Sequence, residues 1–257
     1  MDIQGRYQGV DDMDWRIICA AILSGYLTGS LSFSRIITRI VAPGTRLSSF
    51  EVPVEGSSLT YKVETFGATS AAMQLGSKAG CAIGFADIFK AAAVVLAFRL
   101  IFPQQPYLLF AAIGSMAGHN WPLFYKFKGG RGISAYYGGL FIIDWVGALV
   151  TMFSGLLFGL LIVKDYFIAY MSGLWLIIPW LWFTTKSPVY IIYAVIINVI
   201  YIVASLPDIK QYSRIKKTTK VDPRMVLETN PMGRGMLKIS EWISSIFRKK
   251  NTKNDND

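Results

Sequence analysis

The chain is poor in charged residues, in cysteine and in histidine. Only 16% of its 257 residues are charged, whereas 53% are hydrophobic, and the mean hydropathy is +0.42. Soluble domains carry about 25% charged residues, so this deficit excludes a disordered chain and a nucleic-acid-binding arm and argues against an ordinary soluble enzyme. We therefore predict an all-α integral membrane protein that lies in a lipid bilayer and has no nucleic acid partner.

The two cysteines and the single histidine restrict the chemistry further. Cys19 and Cys81 lie in separate apolar segments, which makes a disulfide framework implausible and predicts packing as the role of both side chains. No cluster of histidine, cysteine and acidic residues has metal-ligand spacing. We predict neither a metal nor a cofactor.

Six apolar stretches are candidates for membrane spans, because a spanning helix needs about 20 mostly apolar residues. Five of them are clear: 17–41, 80–101, 107–124, 167–185 and 187–206. The sixth covers 133–163 and contains Asp144 near its middle. It forms either one long helix or two short helices that turn at Asp144 and Trp145.

The positions of the basic residues favour two helices in this sixth stretch. Cytoplasmic loops are enriched in Lys and Arg, and residues 208–257 carry a net charge of +6 out of a total of +10. With this tail in the cytoplasm, two helices place the basic residues of 35–78 and the turn 126–131 on the same side. We therefore predict about seven spans, with the N-terminus outside and the C-terminus inside.

The N-terminal residues and the tail flank a single multi-pass domain, which we predict over 1–207. The first sixteen residues are mostly acidic and lack the basic start of a secretory signal peptide, so the first apolar segment is expected to remain as a span. In the basic cytoplasmic tail, 208–257, residues 236–247 form either a short interfacial helix or part of a solvated tail.

A polar cytoplasmic insertion over about 43–66 interrupts the apolar pattern. Residues 50–54 and 59–63 alternate between apolar and polar side chains on either side of Glu55-Gly56-Ser57-Ser58, which predicts a small β-hairpin. Residues 68–76 are small, and we predict a short re-entrant helix there.

The strongest chemical signal is Gly118-His119-Asn120-Trp121-Pro122 followed by Phe127-Lys128-Gly129-Gly130-Arg131-Gly132. Glycines allow backbone N–H groups to converge on a phosphate, and the next helix adds a favourable dipole. Lys128 and Arg131 would add charge around Gly129, Gly130 and Gly132. The segment lacks the Gly-Lys-Ser/Thr of a Walker A loop. The alternative is a glycine-rich turn with basic topology signals.

Three other features have both a structural and a functional interpretation. His119 can act as an acid, a base or a hydrogen-bond donor, or it can be structural. Asp87 and Lys90 are ionisable residues in an apolar helix, and their spacing predicts a structural ion pair. The small residues around Ser30, Ser32 and Ser34 favour close helix packing, although their hydroxyls can also face a polar cavity.

Together these motifs resemble the bacterial PlsY-type membrane glycerol-3-phosphate acyltransferases. The matching segments, in the same order and at similar spacing over about 25–140, are Gly29-Ser30, Gly67-Ala68-Thr69, Leu75-Gly76-Ser77-Lys78-Ala79-Gly80, Asp87-Ile88-Phe89-Lys90 and the glycine-rich segment 118–132. The resemblance implies a seven-helix enzyme that moves an acyl chain from acyl phosphate to glycerol 3-phosphate without a metal, and gives lysophosphatidate for phospholipid biosynthesis. It also implies a location in the cell membrane.

The resemblance implies roles for particular residues. His119, Arg131 and Ser30 are the candidate catalytic residues, and Asp87 and Lys90 are accessory. The candidate residues for binding substrate or phosphate are Lys128, Gly129, Gly130, Gly132, Gly67, Thr69 and Ser70.

Several positions depart from the family pattern. Ser70 and Met73 stand where the family has Asn and Arg, Arg131 replaces a Lys, and the stretch 207–214 lacks the family's third-motif His and Asn. These departures keep a second hypothesis open, namely a non-catalytic or repurposed relative that binds a phospholipid or a phosphorylated ligand. The sequence does not predict an oligomeric state.

Overall fold

The structure, a computed structural model, describes residues 13–45, 47–53, 60–163 and 166–218. These residues form a helical bundle with one small hairpin. The elements in chain order are α1 (Trp15–Gly29), α2 (Phe33–Val41), β1 (Phe50–Pro53), β2 (Thr60–Val63), α3 (Ala68–Leu75), α4 (Ser77–Ile101), α5 (Tyr107–Asn120), α6 (Ile133–Ile143), α7 (Trp145–Leu157), α8 (Tyr166–Thr185) and α9 (Pro188–Thr218). A 3₁₀ turn follows α5 over Leu123–Tyr125, and a π-helical segment extends α7 over Phe158–Val163.

The first predicted span is present, but it consists of two helices. α1 ends at Gly29 and α2 begins at Phe33. In the break, the ammonium of Lys90 on α4 donates to the carbonyl oxygens of Gly29 at 3.0 Å and Leu31 at 2.6 Å. Carbonyl groups at a helix end lack helical partners, so Lys90 supplies donors that surrounding lipid cannot provide.

α1 and α5 pack with their backbones in contact. A Cβ on Gly25 or Gly29 of α1 would overlap the backbone of α5, and a Cβ on Gly114 or Gly118 of α5 would overlap the backbone of α1. Small residues permit this close approach between membrane helices. The contact fixes the α1–α2 break beside the end of α5.

The apolar core lies between α5, α6, α8 and α9, with contributions from α1, α4 and α7. Its largest fully buried side chains are Tyr136, Tyr193, Leu108, Leu109, Met116, Leu140, Leu174, Ile177, Leu181 and Ile197. Many large apolar side chains remain exposed on the outside, including Leu100 and Phe183, which are 71% and 73% exposed. An apolar exterior of this kind suits contact with lipid.

The helices agree with an integral membrane protein. Among the described residues, three helical segments are long and apolar enough to cross a membrane: Trp15–Val41, Ser77–Ile101 and Pro188–Arg214. Shorter apolar helices cover Ile133–Ile143, Trp145–Leu157 and Met171–Thr185. The count of seven spans and their orientation stay predictions.

The long stretch 133–163 contains the predicted break at Asp144. The Asp144 carboxylate caps α7 by accepting from the Gly147 amide at 2.9 Å and accepts from the Trp180 indole at 2.7 Å. Asp144 is only 5% exposed. The residue that interrupts the apolar pattern therefore ends one helix, begins the next and joins both to α8.

We expect Asp144→Ala to lower the free energy of unfolding by roughly 1–3 kcal/mol, since it removes a helix cap and leaves the Trp180 N–H without its acceptor. Asp144→Asn keeps one acceptor oxygen and should cost less. Unfolding in mixed detergent, followed by circular dichroism, measures both. Equal stability of the alanine variant and the wild type would contradict the capping role.

The packing role predicted for Cys19 and Cys81 is wrong. Both thiols are free and exposed on their helices. An apolar residue in a membrane helix can face lipid as well as protein, because lipid tails are as apolar as a protein core. Segment hydropathy therefore does not identify the inward face.

The hairpin and α3 are formed where the sequence predicts them. β1 and β2 pair antiparallel, with Phe50 opposite Val63 and Pro53 opposite Thr60. The hairpin turn, residues 54–59, lies outside the described residues, as does the helix suggested for 236–247. α9 continues beyond its predicted end at 206 as far as Thr218. Whether α3 is re-entrant stays a prediction.

Candidate active site

The chain after α5 folds back against the end of that helix. Residues 121–132, called the glycine loop below, begin there. The Gly130 amide donates to the His119 carbonyl at 3.2 Å. Lys126 and Phe127 have φ values of 53° and 58°, a left-handed conformation that is costly for residues with a Cβ. Tertiary contacts therefore hold the loop in a tight conformation.

Two glycines allow the loop to meet His119 directly. A Cβ on Gly129 would overlap the His119 carbonyl oxygen and lie 2.7 Å from the Asn120 carbonyl oxygen. A Cβ on Gly130 would overlap Nε2 of the His119 imidazole. Real Cβ atoms do not approach other atoms this closely, so the loop in this conformation requires glycine at 129, whereas a side chain at 130 would require the His119 imidazole to shift.

A buried carboxylate links His119 to α4. Oδ1 of Asp87 lies 2.8 Å from Nζ of Lys90 and 3.5 Å from Nδ1 of His119. Asp87 is 2% exposed, Lys90 7% and His119 9%. The predicted ion pair is present, and it also faces the histidine. Because Asp87 lies on the Nδ1 side of the ring, Nε2 is directed at Gly130 in the glycine loop.

A small polar cavity of about 10 Å³ lies beside this group, with room for about one water molecule. Its lining residues are Gly29, Ser32, Ser34, Phe66, Asp87, Lys90, His119, Pro122, Gly129 and Gly130. The hydroxyls of Ser32 and Ser34 are 3.0 Å apart, and Ser34 donates to the Phe66 carbonyl at 2.6 Å. Both serines are therefore buried between helices, and both also line the small polar cavity.

A larger cavity of about 220 Å³ lies on the other side of Phe66 and Gly129, which line both cavities. Its lining residues are Ser49, Glu64, Phe66, Asn120, Trp121, Phe127, Lys128, Gly129, Arg131, Ala204 and Pro207. Of the predicted phosphate-binding residues, it contains Lys128, Gly129 and Arg131. Residues of the glycine loop therefore line both cavities.

Arg131 forms a two-pronged ion pair with Asp208 of α9. Nε of Arg131 lies 2.5 Å from Oδ2 of Asp208, and Nη2 lies 2.8 Å from Oδ1. Burial raises the pKa of the nearby Tyr61 phenol, and the Asp208 carboxylate raises it further. Gln211 donates to the Lys62 carbonyl at 3.2 Å. The hairpin, the glycine loop and α9 thus meet at the larger cavity.

Ser30, a predicted catalytic residue, is fully buried and positions the start of the loop. Its hydroxyl donates to the Tyr26 carbonyl at 2.7 Å and accepts from the Leu123 amide at 3.2 Å. These bonds tie α1 to the 3₁₀ turn. In this structure Ser30 therefore contacts the loop backbone rather than a cavity.

The segment before α3 joins the loop from the other side. The Phe66 amide donates to the Gly129 carbonyl at 3.1 Å, and Ser70 is buried and accepts from Gln74 at 3.0 Å. Of the described residues, those that were predicted for the site but line neither cavity are Ser30, Gly67, Thr69, Ser70 and Gly132. Of these, Gly67 lies against the glycine loop, where an added Cβ would be 3.7 Å from Cα of Gly130.

Two residues of this region were missed as site residues at the sequence level. Arg35 counted there only as a topology charge, and Asp208 only as part of the tail. The available signals were weak: Arg35 follows the polar Ser32 and Ser34, and Asp208 is an acid at the start of a basic segment. Arg35 contacts Lys128, which is 93 residues away in the chain, and Asp208 contacts Arg131, which is 77 residues away.

These features define a class of protein: a helical integral membrane protein in which a cationic, glycine-rich loop folds onto a buried histidine. Residues 19–218 match the family model "Glycerol-3-phosphate acyltransferase". Because this match covers well over half of the chain, the protein belongs to the glycerol-3-phosphate acyltransferase family.

Individual relatives agree with this assignment. The chain is 34% identical over 162 residues to a glycerol-3-phosphate acyltransferase of Pelagibacter ubique. The aligned region covers 58% of this chain and 77% of that protein. It is 31% identical over 135 residues to the enzyme of Mycoplasma mycoides, covering 50% of this chain and 47% of that protein. The chain thus spans about half the length of the Mycoplasma relative.

A solved structure shares the fold. The crystal structure of PlsY, an integral membrane glycerol 3-phosphate acyltransferase, in its glycerol 3-phosphate form matches with a TM-score of 0.63 and 23% sequence identity. The match covers 77% of this chain and 92% of that chain. The lysophosphatidic acid form of PlsY matches with a TM-score of 0.61.

Proposed function

We propose that this protein transfers an acyl chain from an acyl phosphate to the 1-hydroxyl of glycerol 3-phosphate in the cell membrane. The products are lysophosphatidate and inorganic phosphate. One observation supports this most: in a member of this family the glycine loop packs onto His119, and Lys128, Gly129 and Arg131 of the same loop line a cavity of about 220 Å³.

The reaction needs positioning more than a covalent intermediate. The hydroxyl oxygen attacks the acyl carbonyl carbon and forms the new ester bond, while the bond from that carbon to the phosphate oxygen breaks. The hydroxyl proton ends on the departing phosphate. Acyl phosphate is already activated, so holding both substrates together and stabilising the developing negative charge supply most of the rate enhancement.

The loop residues have separate roles in this proposal. Backbone N–H groups around Gly129, Gly130 and Gly132 bind phosphate, and Lys128 and Arg131 add positive charge. His119, beside Asp87, either positions the loop at Gly130 or hydrogen-bonds to a substrate group that reaches the small cavity. Ser30 acts by holding the loop, whereas Thr69 and Ser70 support the segment that packs against Gly129.

The test uses the full chain, purified in detergent and returned to lipid vesicles. We expect lysophosphatidate and phosphate to form only when both acyl phosphate and glycerol 3-phosphate are present, as detected by mass spectrometry. Binding of glycerol 3-phosphate without any product would overturn the proposal in favour of a repurposed relative. The observation that favours this second function is the ion pair between Arg131 and Asp208, because it engages the guanidinium that would otherwise bind phosphate.

The Arg131 variants test the phosphate role. We expect Arg131→Ala to lower kcat/KM about tenfold to a hundredfold, because a hydrogen bond to a charged group contributes roughly 1.5–3 kcal/mol. The matched variant Asp208→Asn keeps the guanidinium and removes its partner charge, and it should retain most of the activity. Equal losses in both variants would assign the effect to the ion pair, and unchanged kinetics of Arg131→Ala would contradict the phosphate role.

A further inference from the structure

Arg35 of α2 lies beside Phe66, a residue that lines both cavities, although Arg35 itself lines neither. Its guanidinium carbon is 4.5 Å from the ring centroid of Phe66 and 4.5 Å from that of Tyr125. Nη1 donates to the Ser32 hydroxyl at 2.9 Å, and Nη2 donates to the Lys128 carbonyl at 2.7 Å. Two rings and two acceptors therefore hold the group at the glycine loop.

The positive charges near the loop differ in their partners. Lys90 is paired with Asp87, and Arg131 is paired with Asp208. Within the described ranges, Arg35 forms no ion pair with a carboxylate. α3, which begins beside the same loop, contains no charged residue. Arg35 therefore contributes a positive charge that no described acid neutralises.

The guanidinium also keeps donors for a ligand. Arginine has five N–H donors in a planar fork that matches phosphate, and only two nitrogen atoms of Arg35 donate within the described residues, one bond each. Arginine that is stacked on aromatic rings loses little freedom when it binds. The position, the charge and the free donors thus suit a phosphate monoester or an acyl phosphate.

We propose that Arg35, together with Lys128, binds the phosphate group of a substrate, in addition to the charge that Arg131 contributes from its ion pair with Asp208. This inference rests on the proposed function for the identity of the substrates. Glycerol 3-phosphate and acyl phosphate carry the same recognisable group, and kinetics with each substrate varied in turn distinguish them.

The test compares Arg35→Gln and Arg35→Lys with Arg39→Gln, a matched change at an exposed arginine one turn along the same helix. In Arg35→Gln we expect KM to rise at least about tenfold for one of the two phosphate substrates, with Arg35→Lys intermediate and Arg39→Gln unchanged. Binding of inorganic phosphate and of glycerol 3-phosphate, measured by calorimetry without turnover, should weaken in parallel.

These two measurements separate the two proposals. Wild-type protein that binds phosphate through Arg35 but makes no product would overturn the proposed function and leave this inference standing. Equal phosphate affinity in the wild type and Arg35→Gln would overturn the inference. A lower kcat with unchanged KM and unchanged phosphate affinity would also overturn it, because Arg35 would then only brace the loop.

Discussion

Gly129→Ala is expected to lower the acyl-transfer rate more than a hundredfold. The new methyl group would overlap the His119 carbonyl oxygen, approach the Asn120 carbonyl and lie 2.6 Å from Cδ of Pro122. None of these atoms is the end of a flexible side chain, so the loop must move away from α5. A displacement of about 1 Å at a reacting centre can cost roughly a hundredfold in rate, and here the phosphate donors and the His119 contact would move together.

Two other glycines provide matched controls. At Gly84 of α4 the nearest atom to an added Cβ is the Ala68 Cβ at 3.6 Å, an ordinary contact, so Gly84→Ala should retain near wild-type rates. At Gly130 the three nearest atoms to an added Cβ belong to the His119 imidazole, which can shift. The rate of Gly130→Ala should therefore fall between those of Gly129→Ala and Gly84→Ala. Product formation in vesicles measures all three, and near wild-type activity in Gly129→Ala would contradict the proposed geometry of the loop.

Asp87→Asn is expected to lower the free energy of unfolding by roughly 3–5 kcal/mol, the usual cost of removing one partner from a buried ion pair. Lys90 would keep its charge in a buried site, and His119 would lose the carboxylate beside Nδ1. The same change should reduce activity, because the imidazole would no longer be held with Nε2 toward Gly130.

A double variant separates these two consequences. Asp87→Asn with Lys90→Met removes the unpaired charge but also the donors to the Gly29 and Leu31 carbonyls. It should therefore recover only part of the lost stability, and it should not recover activity. Glu64→Gln removes the partner of Lys62 in an exposed pair with N–O distance 2.6 Å and should leave the unfolding midpoint unchanged. If Asp87→Asn unfolded like the wild type, the buried pair would not have the structural role described above.

The sequence predicts local features well where one residue type determines the local structure. Asp144 is a polar residue in a long apolar stretch, and the structure breaks the helix there because a buried carboxylate can cap α7. The alternating residues on either side of 55–58 likewise predict the observed hairpin. In both cases the pattern and the physical cause lie within a few residues of each other.

The site is less predictable because its key contacts are distant in sequence. Nothing near Arg131 indicates its pairing with Asp208, and nothing near Arg35 indicates its contact with the Lys128 carbonyl. Both depend on how whole helices pack. The exposure of Cys19 and Cys81 escaped prediction for a related reason, since hydropathy does not separate lipid-facing from protein-facing positions.

The glycine contact between α1 and α5 has a consequence for how the protein responds to its bilayer. Membrane helices usually adapt to hydrophobic mismatch by tilting or kinking. α1 and α5 are expected to tilt together, because Gly25, Gly29, Gly114 and Gly118 place backbone directly against backbone. In thicker or thinner membranes we therefore expect the contact between Ser30 and the glycine loop to change less than contacts between other helices.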